Sequence, residues 1–128
     1  MRAFGELESD IMRVLWSSAE PLSIQRLTDV LNEERPLAYT TVMTVTERLR
    51  TKGWLERTKR GRSYRYSPLR SADDYTAALM EQALASSTDR AHALLHFAGR
   101  LDADEAAALR KALDSLPPDP DPDPDTDH

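Results

Sequence analysis

The chain has 128 residues, 40% of them apolar, no cysteine and a formal net charge of −5. That length holds one ordinary domain, or a small domain with an oligomerisation element, and leaves no room for an elaborate enzyme with a separate cofactor domain. Lack of cysteine excludes disulfides, thiolate metal sites, iron–sulfur clusters and thiol redox sensing. No run approaches the roughly 18 to 20 apolar residues of a membrane span, and the opening Met-Arg-Ala-Phe-Gly-Glu-Leu-Glu has no signal-peptide core. A cytoplasmic protein with no direct membrane binding is therefore expected.

In chain order, the 3.6-residue spacing of Leu7, Ile11, Val14, Leu15 and Ser18 predicts a first helix over Glu6 to Ser18. Glu6, Glu8 and Asp10 favour its N-terminal end, and Trp16 is placed in the core. Pro21 breaks the chain, and Ser23 offers an N-cap for a second helix through about Asn32, with Ile24, Leu27 and Leu31 as its apolar stripe. Pro36 then forces an extended approach to a third helix from Ala38 to Lys52. There Ala38, Val42, Val45 and Leu49 form the stripe expected to be buried, while Thr40, Thr41, Thr44 and Arg48 gather on the opposite side. Threonine hydroxyls are short enough to let a helix approach a base edge, where they can donate and accept. Gly53 is a natural C-terminal stop.

After Gly53 the period changes from 3.6 to 2. Residues 54–60 and 62–67 alternate apolar or aromatic with charged side chains, and Gly61 supplies the positive φ of a tight turn, so a hairpin is predicted with Lys59-Arg60-Gly61-Arg62 at its tip. Charge is distributed unevenly. Residues 1–70 carry 13 Lys/Arg and 9 Asp/Glu, whereas residues 71–128 carry 4 and 13. Between Arg48 and Arg70 nine cations face the single Glu56, a local field that outweighs the acidic total at contact range. Cations crowded on a hairpin tip repel one another unless something anionic sits beneath them, and phosphate is the obvious candidate for Lys59, Arg60 and Arg62.

Pro68 closes the hairpin and the composition shifts. Ser71 with Asp74 predicts a capped helix carrying Tyr75, Leu79 and Leu84. Thr88 or Asp89 caps the next, with Leu94, Leu95, Phe97 and Leu101, and Asp102 with Glu105 starts a last helix bearing Leu109 and Leu113. These Leu- and Ala-rich helices lack the aromatic bulk for a generous core of their own, so burial against a second copy is expected; folding back on the first domain is the alternative. His92 and His96 stand four apart, a spacing that can hold a metal. Without cysteine nearby, an exposed or interface role is the reading adopted, with no metal and no cofactor. From Pro117 the alternation of Pro and Asp predicts a disordered, polyproline-like tail. The expected organisation is a DNA-binding domain over 1–70, a helical dimerisation domain over 71–116 and a tail over 117–128. In fold class it is mainly α with a small β-hairpin, an N-terminal winged helix-turn-helix followed by a C-terminal helical segment.

This order of elements, together with Leu7 to Trp16, Ala38 to Gly53 and Tyr64-Arg-Tyr-Ser-Pro, resembles the penicillinase repressor family, the BlaI and MecI group that includes copper-responsive members. The resemblance runs from about Leu7 to Leu116, and the Thr-Val-Met-Thr form of the third helix looks like actinobacterial members in particular. It implies a homodimer on a palindromic double-stranded DNA operator, each third helix in a major groove and each wing on the backbone, repressing β-lactamase or cell-envelope genes. Thr41 and Thr44 match family threonines of the reading helix, and Arg48 and Lys52 match its basic residues. Met43 stands where staphylococcal members have arginine, so a different operator sequence is implied. The resemblance also implies a membrane sensor-protease partner and cleavage before a phenylalanine; Phe97 matches, with His96 in place of the family's asparagine. The cysteine motif of copper-responsive members is absent. No nucleophile triad, phosphate loop or paired buried carboxylate emerges, so an enzyme is not expected. A second reading stays open, a winged-helix module whose basic wing receives an acidic protein partner without reading DNA sequence.

Overall fold

A computed structural model of the protein describes residues 3–117; the tail expected over 117–128 lies, from residue 118 on, outside the described residues. Along the described chain run α1 (Glu6–Ser17), α2 (Ile24–Asn32), α3 (Tyr39–Thr51), β1 (Leu55–Arg60), β2 (Ser63–Pro68), α4 (Ala72–Ala85), α5 (Arg90–Ala98) and α6 (Ala103–Ser115). The architecture is mainly helical with one antiparallel hairpin, a winged helix-turn-helix followed by helices. It divides into two compact units, the first ending at Ala83 and the second beginning at Leu84.

The first unit is built on one core. Ile11, Met12 and Leu15 of α1, Ile24, Leu27 and Leu31 of α2, Val42 and Leu49 of α3, and Trp54, Leu55 and Tyr66 of the wing are all buried together. Periodicity identified most of these; Met12 and Thr46 escaped it. In α3 the buried row is Val42, Thr46 and Leu49, whereas Ala38 is exposed at the N-cap and Val45 is only half-buried. A buried threonine is tolerated because its hydroxyl donates to the carbonyl four residues back, Thr46 to Val42 and Thr28 to Ile24, both at 2.7 Å.

Local chemistry sets how α3 is held. Ser23 caps α2 by accepting from the Arg26 amide. At the other end of α2, Asn32 clamps the approach to α3: its side-chain oxygen accepts from the Leu37 N–H at 2.8 Å and its nitrogen donates to the Leu37 carbonyl. Helix α3 ends in a Schellman turn. Gly53 takes φ of 89°, its N–H donates to the Arg50 carbonyl, and the Trp54 N–H donates to the Leu49 carbonyl, both at 3.0 Å. That turn launches β1 directly from the end of α3.

The hairpin pairs Leu55 with Pro68 through to Arg60 with Ser63, leaving Gly61 and Arg62 as a two-residue turn. Only Gly61 has positive φ, at 62°, which is the pattern of a type II′ turn. A bridge between Leu22 and Tyr66, with N–H to carbonyl distances of 3.0 and 2.8 Å, fastens the α1–α2 loop to β2.

Tyr75 sits at the start of α4 and belongs to the first unit. Its ring stacks on Phe4 at 4.1 Å and meets Trp54 edge-on at 5.4 Å. Its hydroxyl accepts from the Phe4 N–H at 2.7 Å. Ser71 and Asp74 exchange capping hydrogen bonds as expected. The first unit therefore extends beyond residue 70, because an aromatic side chain from α4 completes its packing.

In the second unit Asp89 caps α5 by accepting from the His92 amide, and Asp102 and Glu105 form a reciprocal capping box on α6. Among the described residues, none in α5 or α6 is buried.

Candidate nucleic-acid interface

Thr40, Thr41, Thr44, Val45 and Arg48 line one shallow concavity on the exposed side of α3. Thr44 donates its hydroxyl to the Thr40 carbonyl at 2.8 Å, so it offers outward a lone pair and a methyl group. Ala38 supplies no side-chain cap, which leaves the first amides of α3 open to an acceptor at the positive end of the helix dipole. Met43 is exposed on α3, on the same side as Glu47 one turn later.

A second concavity joins the N-terminal ends of α2 and α3 to the wing, lined by Ser23, Gln25, Tyr39, Arg62, Ser63 and Tyr64 among others. Tyr39, Gln25 and Tyr64 are not among the residues that the sequence assigns to DNA contact. An aromatic residue immediately before a polar helical face was the available signal for Tyr39; Gln25 carried none.

The cations sort into two groups once their partners are known. Arg50 and Arg57 both bind Glu47, at 2.9 and 3.0 Å, and Lys52 pairs with Glu8 at 3.0 Å. Arg57 also lies over the Tyr64 ring at 4.0 Å, and Arg70 over Trp54 at 4.9 Å. Arg48, Lys59, Arg60 and Arg62, by contrast, have no carboxylate within ion-pair distance among the described residues. All four are exposed. Lys52 is thus placed in an intramolecular pair, while Thr40, Thr41, Thr44 and Arg48 share one concavity and Lys59, Arg60 and Arg62 share the wing tip.

Glu47 was passed over by sequence reasoning, although it is the one acidic residue in α3. Its carboxylate also accepts a hydrogen bond from the buried Tyr66 hydroxyl. Burial opposes its charge, but the hydrogen bonds from Arg50 and Tyr66 and the fields of Arg50 and Arg57 outweigh that, and its pKa is lowered. Burial, followed by the Glu47 carboxylate, raises the Tyr66 pKa and keeps the phenol a donor.

Of the residues expected at a dimer contact, Leu79, Leu84 and Leu101 are half-buried, whereas Leu94, Leu95, Phe97, Leu109 and Leu113 are exposed. Tyr75 is committed to the aromatic cluster of the first unit. His96 and Phe97 are exposed in α5, and the His96 ring stacks against His92 with centroids 5.0 Å apart.

Fold and site define a winged-helix protein with a threonine-rich third helix and a cationic hairpin. Residues 4–115 match the sequence family described as penicillinase repressor. The transcriptional regulator BlaI of Mycobacterium tuberculosis is 44% identical over 115 residues, which is 88% of this chain and 83% of that protein. The solved DNA-binding domain of the repressor BlaI superposes with a TM-score of 0.51 at 26% identity, covering 59% of this chain and 94% of that domain. The structure of hsRosR-S4 shares the fold, with a TM-score of 0.53 at 21% identity over 84% of this chain and 94% of that one. The chain belongs to the penicillinase repressor family. It is a BlaI-like transcriptional regulator and not an enzyme.

Proposed function

We propose that the protein is a sequence-specific DNA-binding repressor that acts as a cytoplasmic homodimer on a palindromic operator. Helix α3 enters the major groove with Thr40, Thr41, Met43, Thr44 and Arg48, and the wing lays Lys59, Arg60 and Arg62 on the phosphate backbone. The observation that carries this reading is the division of the cations: among the described residues those at the wing tip and Arg48 have no carboxylate within ion-pair distance, beside a helix face of short hydroxyl side chains. The name of the 44% identical relative and the DNA-binding description of the BlaI domain support it.

Dimerisation is assigned to the exposed apolar residues of the C-terminal helices, Leu94, Leu95, Phe97, Leu109 and Leu113. The family resemblance extends the proposal to β-lactamase or cell-envelope genes. It also extends it to release by a membrane sensor-protease cutting between His96 and Phe97.

The base-reading assignment is tested on the tightest sequence selected from a random DNA pool. Thr44→Ala is expected to cost about 1–3 kcal/mol on that site and little on random DNA. Because the Thr44 hydroxyl is already donated to Thr40, Thr44→Val, which keeps a methyl, separates methyl contact from hydroxyl acceptance. Arg62→Ala is expected to weaken both DNAs and lower the salt slope by about one unit. Equal losses on both DNAs for Thr44→Ala remove base reading. Inserting about half a helical turn, roughly five base pairs, between half-sites should abolish dimer binding; binding that survives it unchanged refutes the symmetric dimer.

A further inference from the structure

We infer that Glu47 is the positioning residue that couples the wing to the reading helix, an inference that rests on the DNA-binding reading above. The carboxylate leaves α3 one turn after Met43 and Thr44 and gathers donors from three places. Arg50 donates to it from the next turn of α3, through Nε at 3.1 Å and Nη2 at 2.9 Å. Arg57 donates from β1 at 3.0 Å, and Tyr66 donates its hydroxyl from β2. Arg57 then carries the contact outward by stacking over Tyr64, which is paired with Lys59 across the hairpin.

The wing is also tied to the rest of the unit by the Gly53 turn, by burial of Trp54, Leu55 and Tyr66 in the core, and by the backbone bonds between Leu22 and Tyr66 midway along the hairpin. To these Glu47 adds charge-assisted hydrogen bonds to both strands, directional ties made from the reading helix itself. Glu47 also neutralises Arg50 and Arg57, withholding two cations that would otherwise seek any phosphate. A single carboxylate thus favours docking of helix and wing as one body and disfavours indiscriminate backbone binding.

Glu47→Gln keeps the size and removes the charge; Tyr66→Phe removes one donor and leaves the charge count unchanged. Each is measured on the selected site and on random DNA across a salt series, with amide hydrogen exchange of the unbound proteins alongside. Glu47→Gln is expected to lower the selected-to-random affinity ratio by about tenfold, the scale of one charge-assisted hydrogen-bond set. Random-DNA affinity should hold or rise, with a salt slope steeper by up to about two units as Arg50 and Arg57 turn to phosphate. Tyr66→Phe should lower the ratio by less and leave the slope unchanged.

Exchange should quicken in residues 55–68 while α1 and α2 keep their protection. An unchanged ratio with a discriminating wild type overturns the coupling and spares the DNA reading. Parallel losses on both DNAs with α1 and α2 also deprotected reduce Glu47 to a general stabiliser and overturn it as well. A wild type that does not discriminate sinks the DNA reading instead. Exchange in the wing then decides the coupling by itself: faster only there supports it, unchanged refutes it.

Discussion

The two units of this protein use the same helical alphabet with opposite outcomes. In the first, α1 to α3 and the wing enclose a core in which Ile11, Met12, Leu27, Val42 and Leu49 have no accessible surface. In the second, α5 and α6 are capped as carefully as any helix of the first, yet Leu95 is 71% exposed, Leu113 58% and Leu116 63%. Caps and propensity suffice to define where a helix runs, but most helical stability in a protein comes from packing an apolar face. The exposed leucines of the second unit are the surface that the proposed dimer would cover, whereas the first unit buries its own apolar faces.

The largest expected effect follows from that contrast. Leu27→Ala should destabilise the first unit by about 2–5 kcal/mol in urea unfolding, since it opens a cavity in a filled core. The same truncation at Leu95 should leave the unfolding of the first unit within about 0.5 kcal/mol, as for a surface position. If Leu95→Ala proves as costly there as Leu27→Ala, the two units do not differ as described.

The next test concerns the partner surface. Leu95→Asp should weaken self-association by about 1–2 kcal/mol or more, read as a shift of the dimer–monomer midpoint in sedimentation. Sedimentation that is unchanged would place the interface elsewhere.

Gly53→Ala probes the joint between α3 and the wing. A Cβ there meets nothing within 4 Å, so the cost is that of the positive φ alone, about 1–2 kcal/mol. A neutral result would mean that the turn relaxes without loss.

The smallest effect is a pH dependence. The folded pKa of Glu47 is lowered, so its contribution is present above the unfolded carboxylate pKa and is lost as pH falls through the lower folded value. Acid titration followed by wing amide exchange should show this loss in the wild type and not in Glu47→Gln. A matching acid response in the two proteins excludes Glu47 as its source.

Much of the site was legible because its signals are local. Threonines at i, i+1 and i+4 on a 3.6 period share a face wherever the helix goes, and a Gly-Arg turn between alternating strands puts its cations at a tip. What could not be read was which cations have partners. Lys52 was expected at DNA, yet Glu8, 44 residues earlier, lies within 3.0 Å of it. Val45 lies on the periodic apolar stripe, yet the packing of α3 buries Thr46 more fully, and the Thr46 hydroxyl is satisfied there by its own helix. Tyr75 was grouped with the dimer helices, and Phe4, 71 residues away, claims its ring.

The sequence by itself determined the helices, their caps, the hairpin and its turn, and the segregation of positive charge before Arg70, since each depends on neighbours a few residues apart. Only the tertiary structure decided that Glu47, isolated among the cations around it, is the acceptor for both strands of the wing. It decided too that the first unit ends inside α4 rather than before it. Both outcomes depend on contacts between residues distant in the chain, for which periodicity and composition carry no signal.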